Sequence, residues 1–203
     1  MRRSLPVRSA AALTVGLALT LAACGSSGGS DDASGDASFT STTAAPADTG
    51  AGPAECAPVG EIPPGAEDKP TSVDAPSEPT TGDEVIVTVL EEGEGPEVTD
   101  ASYVTVDYLG ISCSSGLQFD SSWDRGTPIT IAMPDAPPTE TAFNVIPGWN
   151  QGLLGQKQGT LVQLDIPSDL AYGPAGQPPD IAPSDPLTFV VRVGEVSDTA
   201  PPA

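Results

Sequence analysis

The chain has 203 residues, with 7 Lys and Arg against 28 Asp and Glu, and no histidine. That balance excludes Ser-His-Asp and Cys-His catalysis, imidazole metal ligands and a histidine pH switch. A formal net charge of −21 makes nucleic acid an unfavourable partner, because binding phosphate backbones depends on Lys and Arg displacing counterions.

Met1-Arg2-Arg3, with Arg8 close behind, precedes an apolar stretch from Ala10 to Ala23 interrupted only by Thr14, Gly16 and Thr20. A basic start and a short apolar middle are the marks of an export signal, and the stretch is short for a bilayer span. It ends in Leu21-Ala22-Ala23-Cys24, which resembles the lipobox of bacterial lipoproteins. That resemblance implies cleavage after residue 23 and acylation of Cys24, including palmitate, with two or more chains forming a stable anchor. An ordinary secreted signal with a chance cysteine is the alternative. The expected location is the outer face of the cell membrane.

Residues 24–81 are rich in Gly, Ser, Ala, Thr, Asp and Pro, and their large apolar residues are Phe39, Val59, Ile62 and Val73. Such a segment buries little surface against its chain entropy and reads as a disordered tether, stiffer in its Pro-rich part. Cys56 lies within it and Cys113 beyond it. Outside the cytoplasm two such thiols are expected to oxidise to a Cys56–Cys113 disulfide, with two free cysteines as the alternative.

From residue 82 to 198 the hydrophobic period becomes two, before a short tail at 199–203. Val85–Leu90 is a β-branched run, and Val104, Val106 and Tyr108 share one strand face. Ile129-Thr130-Ile131 is a shorter strand. Val162, Leu164 and Ile166 oppose Gln163 and Asp165, and Leu187, Phe189, Val191 and Val193 oppose Thr188 and Arg192. Only Pro147–Leu154 reads as helix, with proline in its first turn and Trp149 and Leu153 four apart. The fold class is α+β, a twisted, mainly antiparallel sheet over one short helix.

No acid, thiol or hydroxyl spacing demands a catalytic dyad, and no cofactor or metal is implied. Of only nine aromatic residues, four sit beside turns, Tyr108, Phe119, Trp149 and Tyr172, and Phe189 lies in the last strand. An aromatic pocket with few polar groups can bind a ligand without an ionisable catalyst. Trp123 reads as a loop residue at its rim.

The segments Val106-Asp107-Tyr108-Leu109-Gly110, Gly116-Leu117-Gln118-Phe119-Asp120-Ser121-Ser122, Val145-Ile146-Pro147-Gly148-Trp149, Ala171-Tyr172-Gly173 and Leu187-Thr188-Phe189 resemble, in order and spacing, the FKBP family of peptidyl-prolyl isomerases. The resemblance implies a half-barrel sheet wrapped on a short helix, with a proline pocket between them. Trp149 would be its floor, and Tyr108, Phe119, Ile129, Val145, Ile146 and Phe189 its walls. The Ile146 N–H and the Tyr172 hydroxyl would meet substrate carbonyls, Asp120 would lie at the polar edge, and Ile181 would cover one side. Gln177 and Asp180 depart from the family pattern in the loop after Tyr172. The implied activity is prolyl cis-trans isomerisation by a monomer acting on proline-containing exported polypeptides, with macrolides such as rapamycin as possible inhibitors. The alternatives are a slow binding module or chaperone with the same pocket, and a structural lipoprotein.

Overall fold

A computed structural model describes residues 52–202. The expected signal, Cys24 and the first part of the tether lie outside the described residues. The elements are β1 (Ile86–Glu91), β2 (Tyr103–Ser112), β3 (Gln118–Ser121), α1 (Ser122–Arg125), β4 (Ile129–Ala132), β5 (Ala142–Phe143), α2 (Pro147–Leu153), β6 (Leu161–Ile166) and β7 (Leu187–Ser197). Two 3₁₀ turns, Ser168–Leu170 and Gly173–Ala175, lie between β6 and β7. The seven strands form one sheet in the order β1-β6-β7-β2-β4-β5, with β3 paired to β2. Every pairing is antiparallel except that of β4 with β5.

Alternation along the long strands divides the side chains between two faces. Val104, Val106 and Tyr108 of β2, Val162, Leu164 and Ile166 of β6, and Leu187, Phe189, Val191 and Val193 of β7 join Trp149 and Leu153 of α2 in the main core. The opposite phase places Leu109, Ile111, Leu161 and Val190 on the other face. Pro147 occupies the first turn of α2, where its missing N–H costs no hydrogen bond. Gly148 and Gly152 let the helix settle on β6: a Cβ at Gly152 would lie 2.6 Å from a Leu164 methyl group, and one at Gly148 would lie 2.9 Å from Ile166 Cδ1.

Residues 52–81, expected as part of the tether, instead lie against the second face of the sheet. Val59, Ile62 and Val73 pack on Leu109, Ile111, Trp123, Leu161 and Val190, supplying the apolar partners that the segment lacks within itself. Cys56 and Cys113 are joined as a disulfide. Backbone bonds from Ala57 to Cys113 at 2.8 Å and from Gly60 to Gly116 at 2.8 Å continue the attachment. Lys69, only 5 % exposed, donates to Asp124 at 2.6 Å and to the Pro63 carbonyl at 2.7 Å. Slight desolvation of the Asp124 carboxyl opposes, but does not cancel, the Lys69 contact that holds it below the usual range.

The buried Asp165 carboxylate lies on this second face and accepts from Thr188 at 2.7 Å and from Gln163, which also donates to the Asp74 carbonyl at 3.0 Å. Burial pushes its pKa up despite these donors. Its contribution therefore favours folding in acid and is lost as pH rises through its folded value. Residues 199–202, expected as a tail, reach Thr141, whose hydroxyl donates to the Pro202 carbonyl at 3.4 Å.

Candidate active site

The main core opens into a cavity of about 380 Å³ lined by Tyr108, Phe119, Asp120, Ile129, Asn144, Val145, Ile146, Trp149, Tyr172 and Phe189. Nine of the ten pocket residues expected from sequence line it. The tenth, Ile181, is 1 % exposed within the core and lines an adjoining hollow with Phe119, Asp120, Tyr172, Gln177 and Asp180. A two-way backbone pairing between Gln177 and Ile181 turns its side chain inward, so it underlies the loop. Trp123 is likewise not at the rim. It is buried on the opposite face with Leu109 and Ile111.

α2 carries Trp149 to the floor, 3 % exposed. Its ring meets Tyr108 at 5.2 Å and 82°, and Phe189 at 5.2 Å and 85°. Phe119 meets Phe189 at 5.6 Å and 88°. These edge-to-face contacts suit the ring quadrupoles and hold the four rings in one arrangement.

Gly110 makes room for them. It lies opposite Asp120 on β3 and Phe189 on β7. A Cβ there would come within 2.5 Å of Phe119 Cζ and 2.8 Å of Phe189 Cε1. Gly110→Ala is therefore expected to displace both rings, lowering kcat/KM toward a short proline peptide roughly tenfold and costing about 1–3 kcal/mol of stability. Parallel exchange kinetics and denaturant unfolding measure both. Unchanged kinetics in folded protein would mean that this gap does not set the rings.

The polar edge is a closed set. Asp120 accepts from the Tyr108 hydroxyl, from the Arg125 guanidinium and from the Ser121 N–H at 2.8 Å. Arg125 also donates to the Tyr108 hydroxyl at 2.9 Å and lies 5.5 Å from that ring's centroid. The short helix α1 places Arg125, with Ser121 as its N-cap and Gly126 in the left-handed conformation that ends it. Arg125 and Asn144 are the residues that sequence reading missed. Arg125 could have been noticed as one of only seven basic residues, five positions after Asp120. Asn144 directly precedes the recognised Val145-Ile146 pair.

Burial, and then the hydrogen bond to Asp120, push the Tyr108 pKa up to about 12. Burial, and then the charge of Asp120, raise that of Tyr172. Partial burial opposes the charge on Arg125, but its bonds to Tyr108 and Asp120 keep its pKa above the ordinary value. Raised phenol values leave both tyrosines protonated through neutral and mildly alkaline pH, and Arg125 stays charged. With no histidine in the chain, kcat/KM is expected to stay within about twofold from roughly pH 6 to 9. A bell-shaped profile in that window would contradict this.

The Ile146 N–H and the Tyr172 hydroxyl have no hydrogen-bond partner among the described residues. The site therefore presents an aromatic floor and walls, and the two residues with these unpartnered donors are among those that line it. Nothing in it resembles a nucleophile paired with a base.

A model of the family described as FKBP-type peptidyl-prolyl cis-trans isomerase matches residues 95–194. An FK506-binding protein of Streptomyces anulatus is 42 % identical over 100 residues, spanning 49 % of this chain and 75 % of that protein. An FK506-binding protein of Neisseria meningitidis is 37 % identical over 112 residues, spanning 55 % and 95 % respectively. The FKBP-type peptidyl-prolyl cis-trans isomerase FkpA of Escherichia coli is 36 % identical over 117 residues, spanning 58 % of this chain but only 39 % of its own length.

Proposed function

This chain belongs to the FKBP-type peptidyl-prolyl cis-trans isomerase family, and from that membership we propose how its pocket turns an X-Pro bond and where the enzyme acts. The observation that carries the reading is the aromatic box of Tyr108, Phe119, Trp149 and Phe189, in a cavity that Ile146 and Tyr172 also line.

Rotation about X-Pro costs about 18–20 kcal/mol because twisting removes resonance between nitrogen and carbonyl. The planar amide is the more dipolar form. Seating the proline ring on Trp149 takes the amide out of water and disfavours that form more than the twisted one. The Ile146 N–H and the Tyr172 O–H donate to substrate carbonyls and fix the peptide while the bond turns. A donor aimed at the rotated carbonyl adds to the preference, and each ~1.4 kcal/mol of it is tenfold in rate. No covalent bond to the protein and no proton transfer are needed.

The substrates in this reading are proline-containing polypeptides folding outside the cytoplasm, where spontaneous isomerisation over roughly tens to hundreds of seconds limits folding. The basic start, the apolar stretch to Ala23 and the Leu21-Ala22-Ala23-Cys24 sequence support an enzyme held by acyl chains on Cys24 at the outer face of the cell membrane. Among the described residues no helix is long and apolar enough to cross a membrane. The enzyme acts as a monomer, and its pocket also accepts macrolides of the FK506 and rapamycin kind.

Two measurements test these statements. Catalytic amounts of the protein should speed the proline-limited refolding phase of a small exported protein, and excess macrolide should abolish the effect. An unchanged slow phase would refute the folding role. Cells given labelled palmitate should label the chain but not its Cys24→Ser variant, and equal labelling would refute the anchor.

A further inference from the structure

We propose that the free edge of β1 is a second client site, which takes an extended, proline-free, cationic stretch of an unfolded polypeptide by strand addition. Among the described residues β1 ends the sheet and pairs only with β6. Between Ile86 and Glu91, no backbone group has a hydrogen bond outside that ladder among the described residues. All six residues are exposed. Ile86, Val87, Val89 and Leu90 are 39–54 % exposed and make up four of the seven exposed large apolar side chains among the described residues. Val89 and Gly155 share a hollow, and the residue before Gly155, Leu154, is a fifth. Sheet edges are usually blunted by charged side chains, proline or bulges, and here the one charge, Glu91, and the one register irregularity both lie at the end of the strand, leaving its apolar part without either. The register irregularity between Val89 and Glu91 leaves the pairing from Ile86 to Val89 regular.

Charge and size select the occupant. Asp83 and Glu84 precede the strand, and Glu91, Glu92 and Glu94 follow its apolar part. Of these only Glu91 has an ion pair among the described residues, with Arg192. A second copy paired antiparallel through this edge would set acidic ends against each other at both ends of the ladder, which is destabilising. The strand is only about 20 Å long. Pairing it would bury on the order of a few hundred Å² per partner, against roughly 800 Å² in a stable interface. An extended apolar chain with Lys or Arg at its ends fits both the open ladder and the acidic flanks.

The site also lies beside the pocket helix. Gln151, two residues after Trp149, accepts from the Val85 N–H at 2.6 Å and donates to the Asp83 carbonyl at 3.2 Å. A chain held on β1 offers its prolines to the pocket at an effective concentration in the millimolar range. The surface itself does not depend on the isomerase reading.

The test titrates the full-length chain with a proline-free peptide of alternating valine and threonine between terminal lysines, followed by backbone amide shifts. Shifts are expected at residues 86–91, with affinity unchanged by saturating rapamycin. Affinity should fall roughly fivefold or more when glutamates replace the lysines, or in about 0.5 M salt. A Val87→Lys, Val89→Lys double variant should bind roughly tenfold more weakly while isomerising a short proline peptide at the unaltered rate. Displacement by rapamycin, shifts confined to the pocket, absence of binding, or dimerisation through β1 in sedimentation would each overturn the proposal. None of these outcomes alters the tetrapeptide rate that tests the isomerase reading.

Discussion

Trp149→Ala is expected to weaken macrolide binding by at least roughly tenfold, equivalent to about 1.4 kcal/mol, and to reduce isomerisation of short peptides by a similar factor. The ring is the surface on which proline is proposed to pack, and it is also core, 3 % exposed and in edge-to-face contact with Tyr108 and Phe189. Its removal therefore also costs about 3–5 kcal/mol of folding free energy, a large share of the roughly 5–15 kcal/mol available to a domain. Trp149→Leu, which refills part of the volume, separates the two effects. Calorimetric titration with rapamycin alongside denaturant unfolding reads both variants, and unchanged affinity in folded Trp149→Leu would mean that the indole is not part of the binding surface.

Cys56→Ser is expected to lower stability by about 4 kcal/mol, because the Cys56–Cys113 bond closes a loop across a separation of 57 residues that the unfolded chain would otherwise explore. For a unit of this size that corresponds to a melting temperature lower by roughly 10 °C. Val59, Ile62 and Val73 would no longer be fastened over Leu109, Ile111 and Val190, which adds exposed apolar surface to the lost constraint. The pocket opens from the other face of the sheet, so tetrapeptide isomerisation should stay within about twofold of the parent. Scanning calorimetry with and without reductant provides the check. A melting temperature shifted by less than about 2 °C would mean that the strap contributes little.

Much of this architecture was legible because the long strands alternate strictly. Val104, Val106 and Tyr108, and then Leu187 to Val193, announce one buried face, and the aromatics that close on it are few enough to pick out. The other face was harder to read. Leu109, Ile111 and Val190 lie on the opposite phase of the same strands and need a cover. Val59, Ile62 and Val73 look too sparse to order their own segment when counted within it. Their partners are more than thirty residues away in sequence, a relation that local composition does not encode. β3 and β5, of four and two residues, are too short for periodicity to register. Arg125 and Asn144 enter the site through a one-turn helix and a loop, where tertiary closure places the side chain and no repeating pattern does. Ile181 and Trp123 show the same limit from the other side. Both are apolar residues near the site in sequence; the return of its loop sends Trp123 into the core of the other face, while Ile181 is buried in the main core beside the pocket, lining the adjoining hollow.

Cis-trans exchange of an Ala-Leu-Pro-Phe peptide, followed by NMR line shapes with and without catalytic amounts of the protein, bears most directly on catalysis by the aromatic box. Exchange should quicken in proportion to protein concentration, return to the spontaneous rate with stoichiometric rapamycin, and hold steady between about pH 6 and 9. Exchange at the spontaneous rate in the presence of folded protein would contradict catalysis by this pocket.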